Sequence, residues 1–85
     1  MNDLDRVLAE VRAEYSSAAR KFAPMHGPHE GYAVIAEEVD ELWDEVKAHD
    51  HNRSRMRNEA LQVAAMAVRF VLDVAQEPDK EPSDV

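Results

Sequence analysis

An all-α fold is predicted by three features of the sequence. Apolar residues recur at three- and four-residue spacing through three separate stretches. No run alternates as a strand does with turn residues at its ends. The only two glycines both fall in HGPHEG, a break between two helical stretches. The expected protomer is three helices, the second and third forming an antiparallel hairpin. That hairpin is expected to pair with another protomer into a four-helix-bundle-like oligomer.

The first helix is expected from Asp3 to Lys21, with Asn2 or Asp3 as its cap and Leu4, Val7, Leu8, Val11, Tyr15 and Ala18 as its apolar stripe. FAPMHGPH then interrupts the pattern with two prolines and a glycine. The second helix starts with Gly27 as N-cap and Pro28 at the first helical position, and Glu30 suits the positive helix end. It is expected to run to about Ala48, on a stripe of Tyr32, Ile35, Val39, Leu42 and Val46. Gly31 in its first turn costs roughly 1 kcal/mol against alanine, which points to a close backbone approach or to tolerance near a helix end. HDHNRS forms a turn, with Asn52 or Ser54 capping a third helix from Arg53 or Arg55 to Ala75. Its stripe is Met56, Ala60, Val63, Ala67, Phe70, Val71 and Val74, and Met25, Met56 and Met66 read as core filler. The expected division is one helical domain over 1–76 and a flexible, proline-containing tail over 77–85.

Eighty-five residues allow one domain, and so short a chain buries little surface alone, so a homodimer or homotetramer is expected. The chain has no cysteine, which excludes disulfides, thiolate metal sites and thiol nucleophiles. A net charge of −8 argues against a nucleic-acid polymer as partner and is compatible with cation binding. The longest unbroken apolar run, VAAMAV, is far too short for a membrane span, and no secretory signal is visible at the N-terminus, so a cytoplasmic location is expected.

The acidic run IAEEVDELWDEV divides by helical phase. Glu38, Glu41 and Glu45 follow one flank of the second apolar stripe, whereas Glu37, Asp40 and Asp44 project towards the opposite side. Glu59 falls within the third stripe, with Gln62 on its margin. If the two helices pack stripe to stripe, Glu38 and Glu41 meet Glu59 and Gln62. Several carboxylates in one such space need a cation or protons. Oxygen donors alone suit a hard cation, Mg²⁺ first and Mn²⁺ next. The plainer reading is a solvated glutamate-rich face, with Glu59 paired to Arg55 one turn earlier.

These residues resemble the motif of MazG-like nucleoside triphosphate pyrophosphohydrolases, of the all-α superfamily that includes the dimeric dUTPases. The family pattern is EExxE, a spacer, then ExxD. Here Glu37, Glu38 and Glu41 stand in the first half and Glu59 opens the second. HGPHEGYAVI before the run and EALQVAAMAVRF after it are similar to small members of the group, and the likeness covers roughly residues 20–75. The resemblance implies Mg²⁺-dependent cleavage of a nucleoside triphosphate to the monophosphate and pyrophosphate. It makes Glu38, Glu41 and Glu59 metal ligands, and Glu37 and Glu38 catalytic residues, Glu37 as ligand to a further metal or as the group that orients water. Gln62 replaces the final Asp of the pattern: its carboxamide oxygen can still coordinate Mg²⁺ but brings no charge. The alternative is therefore a catalytically weak or inactive module of the same fold that binds a nucleotide or a protein.

Among the remaining polar residues, Arg55 and His29 are the candidates for substrate contact, with His26 the alternative to His29 at the border of a nucleotide pocket. Arg53 and Arg57 read as local neutralisation of the acidic second helix. The histidine pairs 26/29 and 49/51 lie at opposite ends of a helix about 30 Å long and cannot share a metal. Trp43 is expected at a protomer interface. A di-iron carboxylate bundle would need Glu-x-x-His pairs, which the expected helices lack.

Overall fold

A computed structural model describes residues 2–77 as three helices: α1 (Asp3–Lys21), α2 (Pro28–Lys47) and α3 (Arg53–Asp73). The expected tail lies outside the described residues from position 78 onward. Each helix begins where its chemistry directs. The Asn2 side chain accepts a hydrogen bond from the Asp5 amide at 2.8 Å, and the Asn52 side chain accepts one from the Arg55 amide at 2.9 Å. Gly27 precedes α2, with Pro28 supplying a fixed φ where no N–H is needed. At the other end of α3, Val74 and Ala75 both donate backbone N–H groups to the Phe70 carbonyl, which closes the helix two residues before the expected end.

α3 is the central helix. It packs against α2 and against α1, which do not pack against each other. Its direction relative to each follows from the residues that meet. Gly31 lies against Phe70 and Glu45 against Arg55, so α2 and α3 are antiparallel, as expected. Glu10 meets Arg57, Glu14 meets Gln62 and Ala23 meets Arg69, so α1 and α3 run parallel. Ala18, Met25, Ala65 and Met66 form the buried core, and Tyr15, Val34, Ile35, Phe70 and Val74 pack around it. The close approach signalled by Gly31 is real: a Cβ there would stand 2.6 Å from the Phe70 ring.

The helix faces that pack overlap the expected stripes in part. On α2, Ile35 packs against the core and Leu42 is half-buried, but Tyr32 is 69% and Val39 45% exposed, while Gly31 is buried and Glu38 half-buried. On α3, Phe70 and Val74 pack around the core and Met56 and Val63 are half-buried, but the buried residues are Leu61, Ala65, Met66 and Arg69, and Ala60, Ala67 and Val71 are exposed. The reason is steric. The line Gly31–Glu38–Glu45 faces α3 because a residue without a side chain admits the Phe70 ring. Tyr32, Val39 and Val46 of the apolar stripe are thereby left on the outer flank, while Ile35 stays against the core. Helical phase puts the outward stripe of α3 on the same side of the hairpin, opposite α1.

No helix among the described residues is long and apolar enough to cross a membrane.

Candidate functional site

α2 packs with its acidic flank against α3. Glu38, Glu41 and Glu59 each place a carboxylate oxygen within 4.8 Å of the others, Glu38 and Glu59 half-buried and Glu41 exposed. Burial raises the Glu38 pKa to about 7, helped by the charges of Glu41 and Glu59, a hydrogen bond with Glu41 and the nearby Glu37. Glu59 is raised as well, first by burial, then by Glu41 and Glu45. Burial first, and neighbouring like charge second, thus favour the protonated forms of Glu38 and Glu59.

The donor set fits a small hard cation. An octahedral ion with ligands at about 2.0–2.1 Å holds its donor oxygens roughly 3–4 Å apart, so small side-chain rotations would bring these three carboxylates into range. Displacing the Glu38 proton would restore full charge to the group.

Beside the cluster lies a cavity of about 390 Å³. Its floor is α3 through Gln62, Met66 and Arg69, and α2 lines it with Val34, Glu37 and Glu38. Phe22 to His26, the connection between α1 and α2, form its far wall. Glu38 therefore belongs to both the cluster and the cavity. Glu37 is exposed and lines the cavity without joining the cluster.

Other expected participants are placed apart. The Gln62 carboxamide nitrogen donates to the Glu14 carboxylate of α1, so Gln62 lines the cavity while held from the opposite side to the cluster. Arg55 does not pair with Glu59. Its guanidinium donates to Glu45 at 2.8 Å and to Asp50 at 2.7 Å, bridging the last turns of α2 and the following turn. Glu45 and Asp50 raise the Arg55 pKa, and the Arg55 guanidinium in turn lowers that of Asp50. His29 is exposed in the first turn of α2 and is not among the cavity residues, whereas His26 is. Its backbone N–H donates to Glu30 at 2.5 Å, and its imidazole lies 3.4 Å from the same carboxylate. Arg57 forms a two-pronged contact with Glu10, so it neutralises α1 rather than α2.

Three residues were missed from sequence. Glu14 borders the first apolar stripe, which is a weak signal. Arg69 is a stronger one, being the sole charge in ALQVAAMAVRFVL, and it is 5% exposed in the fold. Asp73, one turn on, shares its task.

Comparison with known proteins finds no match: no protein family, no curated protein and no solved structure corresponds to this chain.

Proposed function

We propose that this protein is a Mg²⁺-dependent nucleotide pyrophosphohydrolase of the MazG-like kind, hydrolysing a nucleoside triphosphate to the monophosphate and pyrophosphate. One observation carries the reading: Glu38 is at once a member of a three-carboxylate group and part of the wall of a 390 Å³ cavity. A ligand seated in that cavity brings its polar end to the carboxylates. The cavity is of the size that encloses small organic ligands, and Met25, Val34 and Met66 give it the apolar lining that a nucleoside requires.

Glu38, Glu41 and Glu59 would hold the cation. When bound, Mg²⁺ neutralises phosphate charge and makes the phosphorus more electrophilic. Glu37, on the cavity wall, orients a water towards the α-phosphorus and accepts its proton. The new P–O bond forms as the bond to the β-phosphate oxygen breaks, and pyrophosphate leaves with the electron pair of that bond. Gln62, fixed by Glu14, offers the ligand a neutral polar edge.

The outward apolar face supports association into a bundle. Tyr32, Val39, Trp43 and Val46 of α2 lie on the same side of the hairpin as Val71 of α3, all exposed. Two such hairpins face to face would give four helices around one new core, with each α1 outside. We take the assembly to be a homodimer or a pair of dimers.

The second reading, a module that binds nucleotide without turnover, is favoured by one contact. Gln62 is committed to Glu14, leaving the cluster with three carboxylates and no fourth ligand from that position. Canonical and modified nucleoside triphosphates, each with Mg²⁺ or Mn²⁺, decide between the two when pyrophosphate release is measured. Release from at least one is the expected result. None at high protein concentration, with Mg²⁺-dependent nucleotide binding retained, establishes the module.

A further inference from the structure

The fold buries a guanidinium on the floor of the cavity. Arg69 is 5% exposed, and it is the only buried charged residue among those described. A buried charge is costly unless its donors are satisfied. Arg69 directs one nitrogen to the Ala23 carbonyl at 2.8 Å and lies 3.7 Å from the Met66 sulfur and 4.0 Å from the Asp73 carboxylate. Asp73 in turn accepts the Met25 backbone N–H at 3.0 Å. The two side chains, one turn apart on α3, therefore grip the main chain on either side of Pro24, a residue with no N–H of its own.

We infer that Arg69 and Asp73 are positioning residues that hold the 22–26 connection as the far wall of the ligand cavity and so set which ligands it accepts. This rests on the pyrophosphohydrolase reading of that cavity. The grip has a defined consequence. With Ala23 and Met25 fixed by their backbones, the Met25 side chain is 5% exposed and lies near Gly31, where its sulfur would be 3.1 Å from an added Cβ. Phe22, Pro24 and His26 are exposed and border the cavity. The wall is thus shaped by main-chain contacts, which leaves its side chains to face the ligand. The clamp's hydrogen bonds and ion pair involve none of Glu38, Glu41 and Glu59, so the two can be disturbed separately.

The test uses the full chain carrying Asp73→Ala, Asp73→Asn or Arg69→Met. Asn at 73 keeps an acceptor for the Met25 N–H and removes the charge facing Arg69, and Met at 69 keeps an apolar stem of similar length. Two readouts are taken: amide hydrogen exchange, and steady-state hydrolysis of the four deoxynucleoside triphosphates with Mg²⁺. In Asp73→Ala, the Met25 amide is expected to exchange at least about tenfold faster, with amides at 61–66 of α3 unchanged. KM is expected to rise about fivefold at unchanged kcat, with Asp73→Asn between the two. Unchanged Met25 exchange, uniform acceleration throughout the helices, or a fall in kcat at constant KM overturns the inference. If wild type hydrolyses none of the four, nor any of the modified triphosphates, with Mg²⁺ or Mn²⁺, the hydrolase reading of the site falls by itself. Exchange then still decides whether the clamp exists.

Discussion

Glu38 on α2 and Glu59 on α3 bring carboxylate oxygens within 4.8 Å of each other across the helix seam, with Glu41 completing the group. Neither helix needs those charges to pack. Gly31 against Phe70 and the Val34–Ile35 pair against the core already join α2 to α3. The cluster therefore opposes the packing that creates it.

That opposition has a pH signature. Glu38 keeps its proton to about pH 7 in the fold but loses it near 4.5 when unfolded. Between those values the folded chain binds more protons than the unfolded one, so rising pH favours unfolding. Without divalent cations, the midpoint of thermal unfolding is expected to fall as pH rises from 4.5 to 7. Glu38→Gln should flatten this decline. Below that window the trend reverses, because Glu10 and Asp50 are held below their ordinary values by Arg57 and Arg55, and the stability they contribute is lost on protonation. A wild-type midpoint that rises across the window contradicts the burial assigned to Glu38.

Gly31→Ala tests the close approach. Alanine gains about 1 kcal/mol in helix propensity. Its Cβ would stand 2.6 Å from the Phe70 ring, and such overpacking costs about 1–3 kcal/mol. Urea denaturation should show a net loss of stability. A stabilised variant would mean that the helices sit further apart.

The three helices were legible from sequence because their punctuation is local. Asn2, Gly27–Pro28 and Asn52 act on the turns beside them, and the helices begin there. Which face of α2 turns inward was not legible. Tyr32, Ile35, Val39, Leu42 and Val46 form the stronger apolar stripe, and periodicity cannot tell that Ile35 packs on the core while Tyr32, Val39 and Val46 are left outside. The deciding contact, Phe70 over Gly31, joins residues 39 positions apart. Glu38, Glu41 and Glu59 were found because they lie on the neighbouring flanks of two helices whose adjacency the short turn between them predicts. The commitment of Gln62 to Glu14 depends on where α1 lies, which no pattern in the second and third helices encodes.

Trp43 reports on association. It is 57% exposed in the protomer, with Lys47 6.0 Å from its ring. Wild type is expected to sediment as a dimer or larger species with blue-shifted tryptophan emission, and Val39→Glu should yield monomer with red-shifted emission. A monomeric wild type would refute the proposed pairing.

Arg55→Ala separates anchoring from substrate contact. Its guanidinium already serves Glu45 and Asp50, so the variant should unfold at a lower temperature while KM for the nucleotide stays unchanged. A large rise in KM with unaltered unfolding would place Arg55 at the substrate instead.

Calorimetric titration of Mn²⁺ into wild type, Glu38→Gln and Glu59→Gln, at neutral pH and without nucleotide, tests the central claim most directly. Wild type is predicted to bind with release of the Glu38 proton, and both variants to lose that binding while remaining folded. Equal Mn²⁺ affinity in wild type and either variant would show that these carboxylates are not the cation site.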